Sequence, residues 1–267
     1  MIYFVGAGSG APDLITLRGA RLIKEADQII YAGSLVNPEL LAGAKPGCHI
    51  LNSAKLTLEE VLEAMLKAES KGWMTVRLHT GDPSLYGAIR EQIDYLKALK
   101  IDFELVPGVS SFSAAAAALE REYTLPGVSQ SLIITRMAGR TPVPEGEAIS
   151  AFAKHQASMV IFLSAGLAKE VQAELLAGGY KAETPAAIAY KVSWPEERIF
   201  HCTVGTIYET CQANGVSNFA LILVGDFLGQ EYEYSRLYAK DFSTGFRQAK
   251  VNLTDALSAL SSEGGEV

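Results

Sequence analysis

Short apolar runs alternate with helical patterns through the first half of the chain. Residues 2–5 read as a strand, 17–26 as a helix and 28–31 as a second strand. Thr57-x-x-Glu60 has the spacing of a capping box and opens a helix with apolar positions at Leu58, Val61, Leu62, Met65 and Leu66. Residues 75–78 predict a strand, 84–100 a helix and 103–106 another strand. Strands separated by helices of this length predict a largely parallel sheet covered on both faces.

The pattern changes after the alanine-rich helix around residues 114–119, where a charged, turn-prone stretch runs to Pro126-Gly127. New strands are expected at 132–135, 159–163, 186–190, 199–203 and 220–224. The fold class is therefore α/β, with two α/β domains of unequal topology: an N-terminal one over residues 1–121 and a C-terminal one over 122–228. Beyond these lies an extension, 229–267, rich first in tyrosine and charge and then in Ser, Gly and Glu, with a poorly ordered end expected. Tyr232, Tyr234 and Tyr238 in it could pack across a dimer.

Of the 267 residues, 49% are hydrophobic, enough apolar side chain for a sizeable core. The formal net charge of −7 argues against nonspecific binding to nucleic acid or an anionic membrane, while leaving room for a local basic pocket. Three cysteines, Cys48, Cys202 and Cys211, show no CxxC spacing, so neither a disulfide framework nor a zinc site is expected. Without a basic region before an apolar stretch at the start, and without an apolar run long enough to span a bilayer, the expectation is a soluble cytoplasmic protein.

Gly6-Ala7-Gly8-Ser9-Gly10-Ala11 follows the first strand and matches the dinucleotide fingerprint GxGxx[G/A]. A nicotinamide-dependent oxidoreductase is thus one reading. Against it, Pro12 and Asp13 separate the glycines from a helix that starts only near Thr16, and no acid ends the second strand to bind a ribose. A tight strand-to-helix turn and a substrate-facing loop with Asp13 in a cleft are the other two readings; Asp13 could equally cap the helix.

Two further turns follow strands: His79-Thr80-Gly81-Asp82-Pro83-Ser84-Leu85-Tyr86-Gly87 and Val106-Pro107-Gly108-Val109-Ser110-Ser111. Both fall at carboxyl ends of parallel strands, where open α/β sheets bind ligands. In this order, with Thr135-Arg136-Met137 and the closing run from Phe219 to Gly225, the chain resembles the tetrapyrrole methylase family over nearly all of residues 1–228. The stretches Gly81 to Gln92 and Gly139 to Glu145, with Tyr190-Lys191 and Trp194-Pro195, are similar to the branch acting at C11 of precorrin-4.

The resemblance implies two α/β domains with S-adenosylmethionine in the cleft between them, a precorrin substrate, cobalamin biosynthesis and a homodimer. It places cofactor contacts at Gly81, Asp82, Leu85, Ser110, Ser111, Met137, Val192 and Ala220. The loop carrying Gly8, Ser9 and Gly10 would line the tetrapyrrole trough. Arg18, Arg77, Arg136, Arg140 and Lys191 stand in or beside the motifs and could pair with carboxylate arms of the macrocycle. For the proton lost after methyl transfer, Glu91 is the first acceptor, with Asp13 and Tyr86 as groups able to orient the ring. No resident metal is expected; any cobalt would arrive in the substrate.

Overall fold

The computed structural model describes residues 1–250. The end of the expected extension, 251–267, lies outside the described residues. In chain order the first half runs β1 (Ile2–Gly6), α1 (Leu17–Glu25), β2 (Gln28–Tyr31), β3 (His49–Asn52), α2 (Leu58–Glu69), β4 (Thr75–His79), α3 (Arg90–Ala98), β5 (Phe103–Val106) and α4 (Ser111–Ala118). Its strands form a parallel sheet in the order β3-β2-β4-β1-β5.

Apolar side chains leave this sheet on both faces, as a parallel sheet requires. Val5, Ile29, Val76 and Leu78 pack with Leu22 and Ile23 of α1, while Ile2, Phe4 and Ile30 meet Val61 and Met65 of α2 and Ile93 and Leu96 of α3. The capping box forms: Thr57 N–H donates to Glu60 Oε2 at 2.7 Å, and Glu60 N–H donates to Thr57 Oγ1 at 3.3 Å. Thr16, not Asp13, caps α1 by accepting from the Gly19 N–H at 3.1 Å. Asp13 sits exposed in a short 3-10 turn.

The second half runs β6 (Leu132–Arg136), α5 (Ile149–Ala153), β7 (Ser158–Phe162), α6 (Ala168–Ala177), β8 (Pro185–Tyr190), β9 (Arg198–Thr203), α7 (Ile207–Ala213) and β10 (Ala220–Val224). These strands pair in the order β6-β7-β10-β8-β9, parallel only between β6 and β7. One face is covered by α5, α6 and α7 through Ile149, Val171, Leu175 and Ile207. The other is covered from the first half. Ala114 and Ala115 of α4, with Leu119 at its C-cap and Tyr123, pack on Val160, Ala187, Ala189, Leu221 and Leu223. The small alanine face lets α4 lie close to the second sheet, so the helix that ends the parallel half is also a wall of the mixed half.

Two differences from the sequence expectations have local causes. β3 was not anticipated, because it is a short, half-exposed edge strand with no long apolar run to announce it. The helix expected over 84–100 begins only at Arg90, since Tyr86 (φ 55°) and Ala88 (φ 47°) take left-handed backbone and hold the preceding segment as a turn. Among the described residues no helix is long and apolar enough to cross a membrane.

Candidate active site

Loops from the carboxyl ends of β1, β2, β4 and β5 meet, across a cleft of about 560 Å³, the loops after β7 and β8 and the approach to β10. This is the crevice where open parallel sheets hold ligands, and its volume suits a small-molecule cofactor. Ser9, Thr80, Gly81, Asp82, Leu85 to Gly87, Ser110 and Ser111 line it from one side. Phe162 to Ala165, Lys191, Val192, Trp194 and Ser217 to Leu221 line it from the other.

The first wall is built by backbone meeting backbone. Gly8 N–H donates to the Gly81 carbonyl at 3.3 Å and Gly81 N–H returns to the Gly8 carbonyl at 2.9 Å. A Cβ on Gly6 would stand 2.6 Å from the Gly81 oxygen, and one on Gly108 only 2.2 Å from the same atom. Three loops therefore converge where no side chain fits. Asp82 ties the cluster: Oδ2 accepts from the Gly108 N–H at 2.8 Å, and Oδ1 accepts from the Ser84 N–H at 2.8 Å and from the Ser84 hydroxyl. Burial pushes the Asp82 carboxyl up, but these hydrogen bonds from Ser84 and Gly108 outweigh it and leave the pKa lowered.

The glycine loop faces the same assembly. A Cβ on Gly10 would fall 2.2 Å from Cδ1 of Trp194, so that ring occupies the space beside the loop. Ser9 Oγ lies 2.9 Å from Ser193 Oγ, and Ala11 N–H donates to Ser193 Oγ at 3.1 Å. With α1 starting at Leu17, the glycines offer no helix N-terminus to a pyrophosphate. Their freedom serves contact between the two halves.

The second wall carries side chains on left-handed backbone: Leu163 (φ 53°), Lys191 (φ 46°), Ser193 (φ 64°) and Phe219 (φ 53°). Lys191 N–H donates to the Phe219 carbonyl at 2.8 Å, and Trp194 N–H donates to the Lys191 carbonyl at 3.0 Å. The Lys191 ammonium lies 5.8 to 5.9 Å from the ring centres of Tyr190, Trp194 and Phe219 and 3.5 Å from Glu196. Tyr86 reaches across from the first wall, its ring 5.5 Å from that of Phe162, and burial raises its hydroxyl pKa.

Of the residues expected to hold cofactor, Gly81, Asp82, Leu85, Ser110, Ser111, Val192 and Ala220 line this one cleft. Met137 stands behind it, its N–H donating at 2.8 Å to the hydroxyl of lining Ser164. Among Gly8, Ser9 and Gly10, only Ser9 lines the cleft. Tyr86 and Lys191 line it, whereas Glu91 and Asp13 are exposed outside its lining. Arg18 pairs with Glu104 at 2.8 Å, Arg136 donates to the carbonyls of Met137, Thr141 and Pro142, and Arg140 is exposed. Leu163, expected only as the end of a strand, and Ser217 and Asn218, just before the closing run that starts at Phe219, were not singled out as cleft residues from the sequence.

Comparison with known proteins agrees with this geometry. Residues 1–208 match the sequence model of the family described as Tetrapyrrole (Corrin/Porphyrin) Methylases. The chain is 51% identical over 249 residues to the cobalt-precorrin-4 C(11)-methyltransferase of Methanocaldococcus jannaschii, covering 93% of this chain and 96% of the relative. The X-ray structure of a cobalt precorrin-4 methyltransferase superposes with a TM-score of 0.84 at 45% identity, covering 86% of this chain and 96% of that one. A uroporphyrin-III C-methyltransferase from Thermus thermophilus, complexed with S-adenyl homocysteine, superposes with a TM-score of 0.70 at 28% identity, covering 85% and 98%. The chain belongs to the tetrapyrrole methylases.

Proposed function

We propose that this chain transfers a methyl group from S-adenosylmethionine to C11 of precorrin-4, or of its cobalt complex, on the route to cobalamin. The observation that carries the reading is the cleft between the sheets, onto which seven expected cofactor residues from separate motifs converge.

The residues present fit the cofactor. α4 begins at the cleft, and its first residue, Ser111, follows Ser110, whose side chain makes no cap hydrogen bond. The Ser110 hydroxyl and the first amides of the helix are thus free for the polar end of a ligand. Leu85, Val192 and Ala220 offer apolar wall, and the bare Gly81 allows close approach of backbone. When bound, S-adenosylmethionine supplies a methyl group already activated on a sulfonium.

The protein's work is then alignment. Methyl transfer needs nucleophile, methyl group and leaving sulfur in line at about 3 to 3.5 Å, so rigid walls contribute much of the rate. Asp82 has its oxygens committed to Gly108 and Ser84, which makes it a loop clamp and not a base. Tyr86 stays protonated at neutral pH, able to donate to the macrocycle. Lys191 meets a carboxylate arm, its ammonium held over three rings. Glu91, exposed four residues beyond Gly87 and outside the cleft lining, takes up the released proton. Ser9 completes the macrocycle's contact on the first wall. The reading includes a cytoplasmic homodimer, with exposed Tyr232, Tyr234 and Tyr238 available to its interface.

The test uses purified protein, ¹³C-methyl-labelled S-adenosylmethionine, and precorrin-4 with and without cobalt. A single labelled methyl at C11 by NMR is expected. Binding of S-adenosylhomocysteine without transfer to either substrate would refute the assigned substrate, and binding of NADH alone would refute the class.

A further inference from the structure

The parallel sheet buries a cation with no anion beside it. Arg77, the middle residue of β4, is 6% exposed. Its Nη1 donates to the Ile30 carbonyl at 3.1 Å and its Nε to Gln92 Oε1 at 3.3 Å, both neutral acceptors. Among the described residues no carboxylate stands within ion-pair distance of it. Burial brings the guanidinium pKa down to about 10, which leaves it charged at neutral pH.

His79 follows two residues later on the same face of the strand and is 2% exposed. Its Nε2 is fully buried and has no hydrogen-bond partner among the described residues. Burial, then the charge of Arg77, lower its pKa to about 3, so the ring is neutral. Both residues line the cleft. Arg18, by contrast, already has an acidic partner, and Arg136 is occupied by carbonyls.

A buried charge and a buried ring nitrogen, both short of partners on one strand face, describe half of a binding site. A desolvated guanidinium costs stability unless an anion joins it. We propose that Arg77 and His79 form a deep subsite of the cleft that takes one ionised carboxylate of a bound ligand, the guanidinium supplying charge and the neutral imidazole a hydrogen-bond donor. The planar fork of arginine suits a carboxylate, and its two neutral partners hold it in place without cancelling its charge. The proposal rests on the methyltransferase reading and names the groups that receive charge within that site. Two ligands carry the required chemistry: the amino-acid end of the methyl donor and a carboxylate arm of the tetrapyrrole.

The experiment titrates unliganded wild type, Arg77→Met, Arg77→Lys and His79→Phe with S-adenosylhomocysteine and, separately, with the octacarboxylate uroporphyrin III, and records a thermal melt of each. Arg77→Met is expected to weaken one ligand at least tenfold and leave the other within twofold, with an unliganded Tm equal to or above wild type. A loss confined to S-adenosylhomocysteine identifies the amino-acid carboxylate; a loss confined to uroporphyrin identifies an arm. Arg77→Lys, which keeps charge but loses the fork, and His79→Phe should weaken the same ligand less. Binding of both ligands within twofold of wild type, or a lowered Tm with both weakened alike, overturns the subsite and returns Arg77 to a structural role. Wild type that binds neither ligand fails the methyltransferase reading itself, and the subsite with it.

Discussion

On the parallel-sheet side of the cleft, Gly6, Gly81 and Gly108 press backbone against backbone, and the chain turns there with no side chain to accommodate. On the mixed-sheet side, Leu163, Lys191, Ser193 and Phe219 adopt left-handed backbone with their side chains present. At its glycine junction the first wall gains close approach by omitting atoms, although farther along it Tyr86 (φ 55°) also sits on left-handed backbone. The other keeps its atoms and accepts strain, held by hydrogen bonds such as Lys191 N–H to the Phe219 carbonyl at 2.8 Å and Ser193 N–H to Glu197 Oε2 at 2.6 Å. The comparison teaches that the first wall should break when atoms are added, and the second should relax when they are removed.

The largest effect is expected at Gly108. A Cβ there meets the Gly81 oxygen at 2.2 Å and Gly6 Cα at 2.8 Å, all of it backbone that cannot swing aside. Gly108→Ala should cost about 3 kcal/mol or more in urea denaturation, the upper end for overpacking, and abolish binding of S-adenosylhomocysteine. A cost below about 1 kcal/mol would mean that the loops have room to part.

Next comes the clamp. Asp82→Ala leaves the Gly108 N–H without its acceptor and should cost about 1 to 3 kcal/mol and at least tenfold in S-adenosylhomocysteine affinity by calorimetry. The pH dependence has a definite sign. The Asp82 pKa is lower in the folded chain, so its contribution is complete above the unfolded value, about 4, and is lost as pH falls through the folded value. Asp82→Asn should therefore show a shallower acid limb in its stability profile than wild type. Equal limbs would remove the carboxylate from the clamp.

The same contrast explains what could be read from the residues. β2, β5 and β10 coincide with the expected strands, because each is a short, mostly apolar run bounded by turn residues. The first wall was legible for a related reason: backbone contact demands glycine, and glycine followed by Asp-Pro or flanked by Pro-Gly is visible as a motif. Its meaning was less legible, since the pattern of glycines after β1 suits a phosphate as well as the Gly81 and Gly108 loops, and only the fold shows which backbone arrives. The second wall was legible only through the resemblance, at Lys191, Val192, Trp194 and the run from Phe219, and its backbone was silent. Leu163 and Phe219 are residues that could sit in any core, and left-handed backbone at a leucine is set by tertiary contacts and not by local preference. Arg77 was visible as a charge in a strand, but that its partners are the Ile30 carbonyl of β2 and the Gln92 side chain of α3, with no acid among the described residues, is set by tertiary packing.

The smallest and most discriminating prediction pairs two substitutions that exchange one kind of backbone for the other. Gly81 has φ +59°, and a Cβ there would meet Ser110 Cα at an ordinary 3.5 Å, so Gly81→Ala isolates the conformational cost with little steric clash. That cost is about 1 to 2 kcal/mol for an L-residue in the left-handed region. Leu163 has φ 53° and is 65% exposed, so Leu163→Gly removes the same strain while giving up little burial. The gain is offset by the greater freedom of glycine in the unfolded chain, about 0.5 to 1 kcal/mol, leaving a net change between zero and about 1.5 kcal/mol in favour of the folded state. The two variants should therefore move in opposite directions in parallel urea titrations. Methyl transfer should fall in Leu163→Gly even as stability holds, because the lost side chain lines the cleft. If Leu163→Gly instead destabilises by more than about 1 kcal/mol, the left-handed leucine is held by packing that outweighs its strain, and the two walls are built on the same principle after all.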